Sequence, residues 1–247
     1  MYFLLMGENL KELWQLLKIE SLKEPCLEEK EMPEELVILV DENDNPIGTE
    51  EKVKCHLPNG KLHRAFTALL FNIDGRLVLT KRAKEKMLWP GDWDGTFASH
   101  PRESEGYVSS GERRMPEELG ISGKLDYFHK FEYHVPYKDV GSENEVCGTL
   151  VGVIDKNTEL KEIEGEIDEI KWISAKELIA EIKINPQIYC PWMLIALELL
   201  EKSDQSMLKK HENILSTWMN SEIHEGLQEA IKTHIPAEKW RLVNEKN

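Results

Sequence analysis

The stretch from Ser99 to Ile121, SHPRESEGYVSSGERRMPEELGI, decides how the rest of the chain is read. From Glu105 onward its pattern is helical, and Gly120 supplies the stop that a left-handed C-terminal position favours. Three carboxylates, Glu105, Glu117 and Glu118, accompany the basic pair Arg113-Arg114. Carboxylates spaced along a helix can hold Mg2+ against a diphosphate, because this hard cation takes oxygen ligands and shares them with phosphates. An amphipathic helix with an acidic exposed face has the same pattern. Pro116 is awkward there, since a mid-helix proline costs roughly 3 kcal/mol.

On either side of this helix the pattern is one of short strands. Leu36 to Val40 is a buried strand closed by the turn cluster Asp41 to Pro46. Ala65 to Phe71 and Leu77 to Thr80 flank Asn72-Ile73-Asp74-Gly75, a hairpin signal. Residues 125–136, 145–154 and 167–173 predict further strands, and Ser174-Ala175-Lys176-Glu177 is a capping box opening a helix. Helical spacing also marks residues 8–20, Met193 to Leu200 and 207–232. Such a mixture predicts an α+β or α/β sandwich. Its segments are an N-terminal helical extension (1–34), a central domain (35–200) and a C-terminal helical extension (201–247).

Lys plus Arg number 31 against 46 Asp plus Glu, a formal charge of −15. That balance argues against nucleic-acid binding, which needs a basic footprint, but leaves room for a local basic pocket and a small anionic ligand. The cysteines Cys26, Cys55, Cys147 and Cys190 are scattered and form no Cys-x-x-Cys pair, so neither a zinc knuckle nor a disulfide framework is expected. A reducing cytoplasm is the simplest home. The apolar run Met1 to Met6 lacks a basic flank and is too short for a signal or a membrane span.

His56 and His63 stand seven residues apart, His100 follows Ser99, and Glu143 and Glu145 alternate as on one strand face. Imidazole with carboxylate suits Zn2+, Mn2+ or iron, and a mixed octahedron also accepts Mg2+. Singly, each is an ordinary surface residue, and only a common fold joins them. Lys52, Lys81, Arg82, Lys84, Lys86, Arg113 and Arg114 are the cations available to a diphosphate, Arg offering bidentate contacts.

Together these residues resemble the Nudix box, Gly-x5-Glu-x7-Arg-Glu-U-x-Glu-Glu-x-Gly-U, where U is apolar. Ser99 takes the Gly place, Arg114 replaces the Glu after Arg113, and Glu105, Arg113, Met115, Glu117, Glu118, Gly120 and Ile121 match. Within that superfamily the chain is similar, over about residues 35 to 200, to the type I isopentenyl-diphosphate isomerases. The segments that carry the likeness are His56-x6-His63-Arg64-Ala65-Phe66, Thr80-Lys81-Arg82, Trp89-Pro90-Gly91-x-Trp93, Ser99-His100-Pro101, Glu143-Asn144-Glu145-Val146 and Pro191-Trp192.

The resemblance implies a Nudix-type mixed sheet sandwiched by helices. It implies one divalent ion (Mn2+ or Zn2+ being candidates beside Mg2+) on His56, His63, His100, Glu143 and Glu145, and a Mg2+ held on the diphosphate by Glu118. It assigns Lys52, Arg82, Lys86 and Arg114 to the phosphates, Trp192 to a carbocation-like centre, and Glu145 with Tyr133 to proton movement. At one place the chain departs from the family: Ala98 stands where the isomerases carry a catalytic Cys. Three readings follow: isomerisation of isopentenyl to dimethylallyl diphosphate through a displaced acid–base group or water, Nudix hydrolysis of a diphosphate, and non-catalytic prenyl-diphosphate binding.

Overall fold

Alternation along one strand sets the architecture. In β3 (His63–Phe71), Ala65, Leu69 and Phe71 enter one apolar core while Phe66, Ala68 and Leu70 enter another. A strand apolar on both faces must be covered on both. The structure, a computed structural model, describes residues 35–236 and 239–243. The expected helix over 8–20 lies outside them.

Among the described residues, the sheet runs β10 (Trp240–Val243), β7 (Leu125–Tyr137), β8 (Gly141–Val153), β3, β1 (Leu36–Val40), β2 (Pro46–Glu51). β3 and β8 are parallel over nine registered pairs, from His63 opposite Glu145 to Phe71 opposite Val153. β7 and β8 form a long antiparallel hairpin. β6 (Phe97–Ser99) pairs with β3 through Ala98 and Thr67. β4 (Leu77–Arg82) meets β3 at Phe71–Leu77, where the predicted turn ends. It then pairs with β5 (Trp93–Asp94) and β9 (Ile167–Ile173).

A short helix, α1 (Lys52–His56), follows β2. α2 (Tyr107–Leu119) covers the face that carries Phe66 and Leu70, burying Met115 and Leu119. It continues through Pro116 and ends at Gly120, whose φ of 70° is left-handed. The other face is covered by α3 (Ala175–Ile184), opened by the Ser174–Glu177 capping box, and by α4 (Pro191–Glu198).

The chain beyond residue 200 shares that second core through Leu208, Leu215, Trp218, Ile223 and Leu227. Its helical pattern over 207–232 is divided among α5 (Gln205–Lys210), α6 (Glu212–Leu215) and α7 (Ser221–Lys232). Trp218 explains one break: its indole donates to the Gly75 carbonyl at 2.7 Å, which holds this part of the chain against the β3–β4 turn. The last described segment is the strand β10, which pairs along β7 and protects an otherwise open edge. No helix among the described residues is long and apolar enough to cross a membrane.

Candidate metal centre and cavity

Strand register assembles the site. His63 on β3, Glu145 on β8 and Tyr133 on β7 are direct partners across three adjacent strands. Partners in register point to the same face, so the three side chains form one row. Tyr133 donates its hydroxyl to Glu145 Oε2 at 2.6 Å. Glu143, two residues before Glu145, lies on the same face and meets His56 from the end of α1, with Nε2–Oε2 at 3.1 Å. Gly141 permits this approach: a Cβ there would come within 2.8 Å of the His56 carbonyl oxygen. His100 follows β6 and reaches Glu145 Oε1 at 3.4 Å, as does His63.

His56, His63, His100 and Glu145 each offer a ligand atom within 4.8 Å of the others. Glu143 borders this set through His56. The Nδ1 atoms of His56 and His63 face the carbonyls of Lys52 and Lys61 at 2.6 and 2.8 Å. A carbonyl only accepts, so Nδ1 carries the proton, and in the neutral ring Nε2 turns its lone pair toward the cluster. Glu143 Oε2 is buried, and the His56 Nε2 that it meets brings it no hydrogen when the proton sits on Nδ1. Converging lone pairs and an orphaned carboxylate oxygen suit a cation.

Charge is distributed unevenly in the cluster. Burial opposes a proton on His63, but Cys55 and Glu145 outweigh it and hold the ring well above its usual range. Burial and the neighbouring His63 push His100 well below. Burial would raise Glu145, yet its bonds with His63 and Tyr133 bring it down. Burial, with Glu145 beside it, drives the Tyr133 hydroxyl far up, so it stays a donor. Opposed shifts among touching groups make the cluster a candidate functional site.

The cluster opens into a cavity of about 340 Å³. Lys52, Arg82 and Lys86 supply its positive charge, Val53, Met87 and Leu88 its apolar rim, and Trp192 part of its wall. Ala98 also lines it, as does Cys147, whose thiol burial and Glu145 keep protonated. Lys52 is paired with Glu35 at 2.9 Å, and Lys86 with Glu166.

Arg114 and Glu118 are not among the residues that line this cavity. They pair with each other, and Arg114 also holds Glu117 at 2.7 Å. Burial raises the Glu118 carboxyl against the pull of Arg114, and Glu166 and Lys86 act on it as well. Glu166, the partner of the cavity-lining Lys86, thus interacts with both Arg114 and Glu118. Arg113 grips Glu105 with two bonds of 2.6 and 3.0 Å and reaches the His100 carbonyl at 3.4 Å, tying the loop that carries His100 to α2. Sequence reasoning missed Asp94, which lies buried beneath Arg82 and Trp192. In the sequence it is only an Asp-Gly pair, which signals a turn.

Residues 61–193 match the NUDIX domain family. Over 160 residues the chain is 38% identical to an isopentenyl-diphosphate Delta-isomerase of Photorhabdus laumondii, covering 64% of this chain and 90% of that protein. Over 170 residues it is 38% identical to the isopentenyl-diphosphate Delta-isomerase of Haloarcula marismortui, covering 65% and 88%. A crystal structure of a Deinococcus radiodurans protein superposes with a TM-score of 0.51 at 20% identity, covering 61% and 90%, a likeness of fold alone. A family match across more than half of the chain, with relatives covered over most of their length, places this protein in the Nudix family as an enzyme of the isopentenyl-diphosphate isomerase type.

Proposed function

We propose that this enzyme isomerises isopentenyl diphosphate to dimethylallyl diphosphate in isoprenoid biosynthesis. The observation that carries the reading is the row His63–Glu145–Tyr133, with His56, His100 and Glu143 around it, opening on a cavity that holds both cations and apolar wall. A divalent ion, Mg2+, Mn2+ or Zn2+, would be held by His56, His63, His100, Glu143 and Glu145. When bound it supplies Lewis acidity and fixes the protonation of its ligands. Glu118, paired here with Arg114, would be the carboxylate for a Mg2+ on the diphosphate.

The reaction moves a hydrogen from C2 of the substrate to C4 through a tertiary cation at C3. Glu145 handles a proton at one face of the allylic unit, and the Tyr133 hydroxyl, bonded to Glu145 Oε2, keeps that carboxylate oriented. Trp192 faces the developing positive charge, an attraction of roughly 2 kcal/mol when desolvated. Lys52, Arg82 and Lys86 hold the diphosphate, with Arg114 behind them. Ala98 transfers no proton, so the second proton comes from water or from a displaced group.

Ala98 is also the observation that favours a second reading, hydrolysis of a diphosphate by activated water. Incubation of the purified chain with labelled isopentenyl diphosphate and Mg2+ separates the two. The proposal expects dimethylallyl diphosphate without phosphate release, and phosphate without isomer overturns it in favour of hydrolysis. Binding with neither product would leave a prenyl-diphosphate binding protein. The thiols of Cys55, Cys147 and Cys190 are free and buried, which accords with the reducing cytoplasm that we infer as its location.

A further inference from the structure

Asp94 is 2% exposed, yet three donors converge on its carboxylate. Trp192 Nε1 donates to Oδ1 at 2.7 Å, the Gly95 amide to Oδ1 at 2.7 Å, and Arg82 Nη1 to Oδ2 at 3.2 Å. Arg82 in turn donates from Nε to the Trp89 carbonyl at 3.1 Å and from Nη2 to the Leu88 carbonyl at 3.0 Å. Its guanidinium lies 5.3 Å from the centre of the Trp192 ring. Trp89, in the left-handed region at φ 49°, packs edge-on to Trp192 at 5.2 Å. The Arg82 bonds to the 88–89 carbonyls help hold that unfavourable conformation.

Three cavity-lining residues therefore hang from one carboxylate: Arg82 and Trp192 directly, Leu88 through Arg82. A guanidinium has five N–H groups. Three are committed to Asp94, Leu88 and Trp89, which leaves two for a ligand. Both Asp94 oxygens accept from these donors; burial raises the carboxyl, against the pull of Arg82 and the bonds from Trp192 and the Gly95 amide.

We propose that Asp94 is a positioning residue, which locks Arg82 and Trp192 against each other so that the cavity presents a pre-set cation to the anionic end of the substrate. The proposal rests on the diphosphate reading above. Fixing the guanidinium in advance removes its ordering cost from binding, and Trp192 stays in place beside the reacting carbons.

The test uses the full chain with two variants and their combination. Asp94→Asn keeps an acceptor for the Trp192 indole and the Gly95 amide but turns an amide N–H2 toward Arg82. It therefore cuts the Arg82 arm alone. Titration calorimetry with inorganic diphosphate and Mg2+ should show affinity falling roughly tenfold, the scale of one charge-assisted bond. KM for isopentenyl diphosphate should rise while kcat is nearly kept. The Trp192 indole N–H resonance, assigned by its loss in Trp192→Phe, should stay near its natural position.

In an Arg82→Gln background, Asp94→Asn should cost no further affinity, because both changes remove the same arm. That double variant is free of an unpaired buried charge and covers the case in which the single variant fails to fold. Unchanged diphosphate affinity in folded Asp94→Asn, or additive losses in the double variant, would overturn the positioning role. A natural chain that binds no diphosphate would instead sink the parent reading.

Discussion

Ala98→Cys is the most informative single change. Ala98 sits on β6, opposite Thr67, with its methyl group at the wall of the 340 Å³ cavity into which Glu145 and Tyr133 also project. Ala98 also packs against the core, and one added sulfur is a small increase in volume beside an open cavity, which keeps the steric cost low. An unperturbed thiol has a pKa of about 8.5, and the carboxylates Glu143 and Glu145 in the same cavity favour its protonated form. At neutral pH the new group is then a proton donor in the cavity that holds Glu145. A matched acid or base contributes about 10²–10⁴-fold in rate, or roughly 3–5 kcal/mol of barrier at 1.36 kcal/mol per decade. Conversion of labelled isopentenyl diphosphate, followed by chromatographic separation of the two isomers, should rise by that factor. Glu145→Gln should erase the gain. The reasoning fails if the variant binds inorganic diphosphate normally, its new thiol reacts with a thiol reagent, and its isomerisation rate is still that of the natural chain.

Other outcomes follow from the same geometry. Protein purified without chelator should carry about one divalent ion in the His/Glu cluster, and His100→Ala should lose it in elemental analysis; unchanged metal content would remove His100 from the ligand set. Arg82→Ala leaves Asp94 buried without its counter-charge, so urea unfolding should show a loss of about 3–5 kcal/mol, the scale for breaking one side of a buried pair. A loss below 1 kcal/mol would mean that solvent reaches Asp94.

His129, bonded to Ser203 and Thr149 at 2.8 and 2.9 Å, is pushed by burial down to about 3, against an ordinary value of about 6.5. Below that ordinary value the unfolded chain takes up a proton that the folded chain refuses. Stability from this group therefore falls as pH drops from about 6.5 toward 3, by about 1.4 kcal/mol per unit. His129→Gln should reduce the slope of unfolding free energy against pH by one proton; an identical slope would contradict a neutral, buried His129.

The parts of the site that sequence revealed are those with short-range signatures. Glu143 and Glu145 alternate on a strand, and α2 ends at Gly120 as its pattern requires. The sandwich follows from strands apolar on both faces. What escaped was set by contacts distant in sequence. Asp94 gains its meaning only when α4 brings Trp192 98 positions along the chain to it. The sequence assigns Arg82 to the phosphates but gives no sign that three of its five N–H groups bond within the protein. Arg114 and Glu118 share a helix turn and pair with each other, and neither lines the cavity. Helical periodicity after residue 200 did not reveal the strand Trp240–Val243, whose place is decided by the free edge of β7.

Through the parallel register of β3 and β8, an ion at the proposed site would report on correct folding. A slip by one residue would set Asn144 or Val146 opposite His63 and turn Glu145 to the far face. No such row would then remain, so an ion bound there would distinguish the native sheet from its nearest misaligned competitors. An ion held by that row would stabilise only the aligned state, by RT ln(1 + [L]/Kd), and the gap between correct and shifted pairings would widen with its concentration. On the proposed metal-dependent reading, chain that matures where metal is scarce would lose that selection together with its chemistry.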